Sequence, residues 1–210
     1  MKKAVIALAL LICFLCGTLF AQNAHRFHFD LGGGLSILQT PEVVNDDWKD
    51  GPCIGIGFGY DVFPILSVGI IGEYNHFSQS LSIIARDQLG DEIGNIEVEG
   101  GDRTIWACWI VGRLNIITEE TGFRPYAVGG FGYAYYKVDD LTTTYQGDKL
   151  TTEGGSDSDF STTLGVGLEM KFNPNFAAFC EGRYVIIFAD LFENENYNYI
   201  PIKAGVRFYL

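Results

Sequence analysis

The most restrictive feature of this chain is alternation. From Phe27 onward, apolar residues trade places with small or polar ones at every step, in run after run. Phe27, Phe29, Leu31, Gly33, Leu35 and Ile37 fall on one face, and His28, Asp30, Gly32, Gly34 and Ser36 on the other. A period of two has no place on an α-helix, where neighbours in space lie three and four residues apart. It is the signature of a strand with two different environments on its faces. The pattern recurs in Ile54, Ile56, Phe58, Tyr60 and Val62 against Gly55, Gly57, Gly59 and Asp61. It recurs again in Val68, Ile70, Gly72 and Tyr74 against Gly69, Ile71, Glu73 and Asn75.

Five further strands follow. One spans about residues 104–117, with Trp106, Cys108, Ile110, Leu114 and Ile116 opposite Arg113 and Asn115. The next, near 124–138, has no clear phase, and Gly129-Gly130 is read as a bulge. A third sets Phe160, Thr162, Leu164, Val166, Leu168, Met170 and Phe172 against Ser161, Thr163, Gly165, Gly167, Glu169 and Lys171. A fourth, 176–188, sets Glu181 and Arg183 against Cys180, Gly182 and Tyr184. The last sets Ile202, Ala204, Val206, Phe208 and Leu210 against Lys203, Gly205 and Arg207. Turns near 64, 120 and 174 are short, whereas the segments 38–51, 77–102, 139–159 and 189–199 are long and polar. Alternating short and long connections define an up-and-down antiparallel sheet of about eight strands, closed into a barrel.

Residues 1–21 read as a signal peptide. Lys2 and Lys3 precede the apolar run from Ala4 to Cys16, and Thr18-Leu19-Phe20-Ala21 places a small residue before the cut, so the mature chain is expected to begin at Gln22. Residues 22–210 then form the barrel domain. A lipoprotein reading with Cys16 acylated fails because Phe14 and Leu15 stand where small residues are required. Beyond Ala21 no run of 18 apolar residues occurs, so a transmembrane helix is ruled out on length.

A soluble barrel alternates too, so the polar face has to decide. It carries Asp30, Asp61, Glu73, Arg113, Glu169, Lys171, Glu181, Arg183, Lys203 and Arg207. That is too many charges for an apolar ligand cavity, and the opposite face is too aromatic to fill an interior. A transmembrane barrel reconciles both, with its apolar face to lipid and its charges inside. Asp30, Glu73, Arg113, Glu169, Lys171, Glu181, Arg183, Lys203 and Arg207 are the candidate ionic network of the lumen. Aromatic girdles are expected at both interfaces. Phe63, Phe123, Tyr126, Phe172, Phe176 and Phe208 would form the turn side, and Tyr74, Trp106, Tyr136, Phe160 and Phe188 the loop side.

The segment Lys203-Ala204-Gly205-Val206-Arg207-Phe208-Tyr209-Leu210 resembles the C-terminal signal read by the outer-membrane assembly machinery, through Lys203, Gly205, Phe208 and the terminal Leu210. Leu210 stands where that signal usually has Phe. Phe123-Arg124-Pro125-Tyr126 with its following glycines, and Phe179-Cys180-Glu181-Gly182-Arg183-Tyr184, resemble the OmpA-like and opacity-type barrel superfamily, which includes OmpX-like and OmpW-like proteins. The resemblance covers the mature chain and implies an eight-stranded barrel in a bacterial outer membrane. It implies as partners the lipids of that membrane, lipopolysaccharide-like lipids among them. The chain is read as carrying no peptidoglycan-binding domain after the barrel.

The net charge of -12 is unevenly placed. The four long segments hold 19 acidic and three basic residues, while the rest of the mature chain holds seven acidic and nine basic. A strongly acidic surface excludes nucleic acid as a partner. It reads as a solvated face, with Asp46, Asp47, Asp50, Asp139 and Asp140 as candidates for a divalent cation or cationic partner. Cys53, Cys108 and Cys180 remain after cleavage and are read as small wall residues, with one disulfide left open. No spacing implies a metal or cofactor, and no G-x-S-x-G motif occurs. His76, near the outer rim, is a surface residue rather than a catalytic one. Two functions remain: an envelope-structural or surface-display protein, adhesion included, and a small channel for ions or, by resemblance to OmpW-like barrels, for small apolar solutes. Continuous charge pairs in the lumen favour the first, and an apolar funnel under the loops the second.

Overall fold

The computed structural model describes residues 26–40, 49–79, 96–116, 122–145, 148–188 and 196–210. The cleavage site at Ala21–Gln22 and the acidic Asp46 and Asp47 lie outside them. Eight strands form the barrel: Phe27–Thr40 (β1), Gly51–Phe63 (β2), Leu66–Phe77 (β3), Arg103–Asn115 (β5), Gly122–Val138 (β6), Gly155–Asn173 (β9), Phe176–Ile187 (β10) and Tyr197–Tyr209 (β11). Three short strands, Ile96–Gly100 (β4), Leu141–Tyr145 (β7) and Asp148–Thr152 (β8), form a small sheet of their own. In the barrel each strand pairs antiparallel with its neighbours in chain order, and β1 closes the circle on β11, from His28 opposite Tyr209 to Ile37 opposite Ile200. Closure is what lipid demands, since an open edge there would leave backbone groups unsatisfied. At 12 to 19 residues, each barrel strand exceeds the roughly 9–11 needed to cross a bilayer when tilted.

Alternation becomes an inversion of the ordinary soluble pattern. Ile54 and Ile56 are 53% and 55% exposed, and Leu164 and Val166 70% and 69%. Glu73, Glu169, Arg183 and Arg207 are all buried. A band of apolar side chains this extensive has no stable place in water. Its solvent is hydrocarbon, and the charges pair inside.

Several expectations are corrected. Gly129-Gly130 forms no bulge: β6 keeps one register against β5 from Arg103–Val138 to Asn115–Tyr126, and one against β9 from Gly122–Lys171 to Val138–Gly155. Its phase is regular. Arg124, Tyr126, Val128, Ala134 and Tyr136 point inward, and Phe123, Phe131, Tyr133 and Tyr135 outward. Tyr126 and Tyr136 therefore leave the expected girdles, because each has a hydroxyl partner in the lumen. Cys53 lies inside, Cys108 and Cys180 face out, and all three are free. The segment expected as a loop at 139–159 contains β7, β8 and the first residues of β9, and 77–102 contains β4.

These additions continue the wall. The β4–β7 ladder, from Gly100–Leu141 to Ile96–Tyr145, keeps the register of β5–β6. The join is bridged by Asp139 N donating to Asp102 O at 2.9 Å and Gly101 N to Asp140 O at 3.1 Å. The β7–β8 ladder likewise keeps the register of β6–β9. Three adjacent barrel strands thus run on beyond the rim as an arm. Between β4 and β5, Gly100 and Gly101 have φ of 85° and 77°, a region open to glycine at little cost.

Candidate functional site

The lumen is built by inward residues two apart on facing strands, and its floor is ionic. Asp30 on β1 receives the guanidinium of Arg207 on β11 in bidentate fashion, Nε to Oδ1 at 2.6 Å and Nη2 to Oδ2 at 2.7 Å. Arg113 on β5 adds Nη2 at 3.2 Å. Glu169 on β9 accepts from Arg207 Nη1, from Arg124 Nη1 at 3.2 Å and from the Tyr209 hydroxyl at 2.9 Å. Forked guanidinium pairing fixes both charge and angle.

A second layer lies above. Glu73 on β3 accepts from Arg183 Nη2, Lys203 Nζ and Asn75 Nδ2. Glu181 on β10 faces Arg183 Nε at 3.1 Å and accepts from the Tyr126 hydroxyl at 3.0 Å. Tyr126 joins the layers, because Arg113 also lies over its ring at 4.5 Å. Glycines make room where long side chains cross. A Cβ on Gly167 would sit 2.3 Å from the Tyr126 ring, and one on Gly59 2.3 Å from His28 Nε2.

Toward the outer mouth the lumen turns largely apolar, with the buried Arg103 lying over the Tyr197 ring at 4.3 Å. Leu38, Phe77, Ile105, Tyr136, Val185, Ile187, Tyr197 and Tyr199 form one buried cluster with Trp109, whose indole donates to Ser161 Oγ at 2.9 Å. Two voids of about 10 and 20 Å³ lie beside Asp30. Each has space for about one water. The lumen thus combines both features the sequence set against each other. Its charge pairs are continuous below, and the apolar residues above are packed rather than open.

Eight of the nine expected network residues meet as pairs. Lys171 does not: it is half-buried near the turn side, and its ammonium lies over the Tyr209 ring at 4.3 Å. Asp61, also on the polar face, accepts from Ser67 Oγ at 2.5 Å and sits 3.5 Å from His28 Nδ1. Sequence reasoning missed Arg124, Tyr126 and Tyr209, and placed Ser161 on the polar face without a partner. The inward phase of β6 was the signal for the first two, and the Gly129-Gly130 pair obscured it. At the outer rim, His76 Nε2 lies 3.5 Å from Asp102 and its Nδ1 3.5 Å from Thr104 Oγ1, a tie between β3 and the base of the arm. Among the described residues no three His, Cys, Asp or Glu are placed to hold a metal.

At the C-terminus, Phe208 stands between Phe29 and Phe176, and Leu210 N donates to Phe27 O at 2.8 Å. Gly205 faces inward, where a Cβ would lie 2.2 Å from Leu31 O. The residues read as an assembly signal are therefore also the seam of the barrel.

Residues 6–209 match the family of outer membrane protein beta-barrel domains. No curated protein matches the sequence. Among solved structures, Neisserial surface protein A is similar at 13% identity and a TM-score of 0.55, over 87% of this chain and 96% of that one. A major outer membrane protein from Thermus thermophilus is similar at 11% identity and 0.54, over 90% and 100%. At such identities the likeness is one of fold. The match over nearly the whole length, with the closed inverted barrel, places the chain in the bacterial outer membrane, as a member of the outer membrane β-barrel domain family.

Proposed function

We propose that this protein is a surface-display anchor with an adhesive or envelope-structural role, and that its barrel does not serve as a pore. The observation that carries this reading is the arm. Three wall strands continue in unbroken register past the rim, which lifts an acidic sheet away from the membrane on a stiff support. The lumen beneath supports the same reading, because its ion pairs and the buried cluster above them fill it with side chains. Export through a signal peptide cut after Ala21, delivery to the assembly machinery through Lys203, Gly205, Phe208 and Leu210, and contact with outer-leaflet lipopolysaccharide-like lipid complete the proposal.

The test removes β7 and β8, two of the arm's three strands, and keeps the barrel. Val138 and Gly155 lie directly opposite, so an Asn-Gly turn can replace residues 139–154. Folding is checked by gel mobility with and without boiling. Cells displaying the shortened chain should lose adherence to protein-coated surfaces, with small-solute permeability unchanged. Unchanged adherence with altered permeability would favour the channel.

A further inference from the structure

One sector of the outer wall differs from the rest. Among the described residues, Lys137 on β6 is the single Lys or Arg on the outward face of the eight barrel strands. Below it on the same face of β6 stand Tyr135, Tyr133 and Phe131, all exposed. On β9, Ser156 lies opposite Lys137, Ser158 opposite Tyr135 and Phe160 opposite Tyr133. Phe160 gathers three neighbouring rings, with centroids 6.5 Å away in Phe131, 6.0 Å in Tyr133 and 5.9 Å in Phe188. The column is therefore polar at the rim and aromatic beneath. From Lys137 to Phe131 it runs about 20 Å along the strand, at roughly 3.3 Å per residue. A strand tilt of about 40° makes that about 15 Å of height. This is the depth of one leaflet, about half of a roughly 30 Å hydrocarbon core.

At the head of the column the wall opens into a hollow of about 470 Å³, lined among others by Lys137, Asp139, Asp140, Gly154 and Ser156. Small-molecule sites usually measure roughly 300–1,000 Å³. The Lys137 ammonium donates to Asp139 Oδ1 at 2.7 Å. Asp140 accepts from Gly154 N through Oδ1 at 2.8 Å, which leaves its Oδ2 for a ligand. The hollow thus sets one cation beside two carboxylates.

Charge and hydrogen bonding together choose the occupant. A purely anionic head would satisfy Lys137 but face both aspartates. A quaternary ammonium has no N–H to offer a carboxylate. A phosphoethanolamine head matches both signs, since its phosphate can accept from Lys137 while its primary ammonium donates to Asp139 and Asp140. We infer that this column is a binding site for a diacyl phosphoethanolamine lipid of the outer leaflet. The head occupies the hollow, and the acyl chains lie along Tyr133, Phe131 and Phe160. The site is independent of whether the arm mediates adherence.

The experiment uses the full mature chain refolded in detergent micelles. Phosphatidylethanolamine, phosphatidylcholine and phosphatidylglycerol with identical acyl chains are added in equal amounts, and native mass spectrometry counts the lipids that stay bound. One phosphatidylethanolamine per chain should be retained, at least fivefold more often than either other lipid. Asp139→Asn combined with Asp140→Asn should abolish the preference over phosphatidylglycerol, and Lys137→Gln should lower phosphatidylethanolamine retention at least fivefold. None of these three side chains is buried, so heat-dependent gel mobility should be kept. If a variant does not fold, the three lipids compared on the wild-type chain still decide. Glycerophosphoethanolamine, the head without its chains, should not displace the lipid at equal concentration. Equal retention of the three lipids, a preference for phosphatidylglycerol, a phosphatidylethanolamine preference that survives loss of both aspartates, or displacement by the head alone overturns the proposal.

Discussion

At the scale of single residues, two environments set the consequences of change. Glu169 and Arg207 belong to a buried group in which each charge has named partners, so removal of one strands the others. Glu169→Ala should lower stability by about 3–5 kcal/mol, read from urea unfolding in lipid vesicles. A loss under about 1 kcal/mol would show that the network does not hold the lumen together. Outside, Val166→Arg should cost about 2–4 kcal/mol by placing charge in hydrocarbon. Gly167→Arg, one residue away, should fail to fold, because Tyr126 already fills the space. Refolding of both at unchanged stability would mean that the inside–outside phase of β9 is wrong. Eight of the nine lumen residues were legible because a charge on the polar phase of a strand has only the interior to go to. Lys171 was not, since near the turn end it can settle over an aromatic ring without an acid. Arg124 escaped because Ala127, Gly129 and Gly130 carry too little side chain to declare the phase of their strand.

At the scale of elements, the seam and the arm behave differently. Deleting Phe208 to Leu210 should abolish assembly, since it removes the pairings to Phe29 and Phe176 and the hydrogen bond from Leu210 N to Phe27 O. Surface amounts equal to wild type, measured by antibody against the arm, would refute this. Within the barrel, the strands were legible because lipid on one face and the lumen on the other impose a strict period of two. The arm was not. Leu141-Thr142-Thr143-Thr144-Tyr145 and Asp148-Lys149-Leu150-Thr151-Thr152 lie beyond the rim, where among the described side chains none is fully buried to enforce alternation, so their sequence reads as a polar loop. Their strand character comes from the register of β5, β6 and β9, which a tertiary ladder imposes and local sequence does not announce.

At the scale of the molecule, this is a barrel whose described interior is filled largely by its own side chains. Its floor is a pair of ionic layers joined by Tyr126, and its outer mouth is stopped by Phe77, Ile105, Tyr136, Ile187 and Tyr199. Eight strands leave only room enough for side chains, and here those side chains are long, paired and packed. Acidity is kept outside, where the arm carries it, and the wall itself stays close to neutral. The display reading requires that the barrel is not a pore, and planar-bilayer recording of the refolded wild-type chain tests that closure directly. A silent membrane with rare, small openings is expected, with no change in ion selectivity on Arg113→Ala. A steady, selective conductance that shifts when Arg113, Glu73 or Arg183 is replaced would contradict the closed lumen and make the barrel a channel.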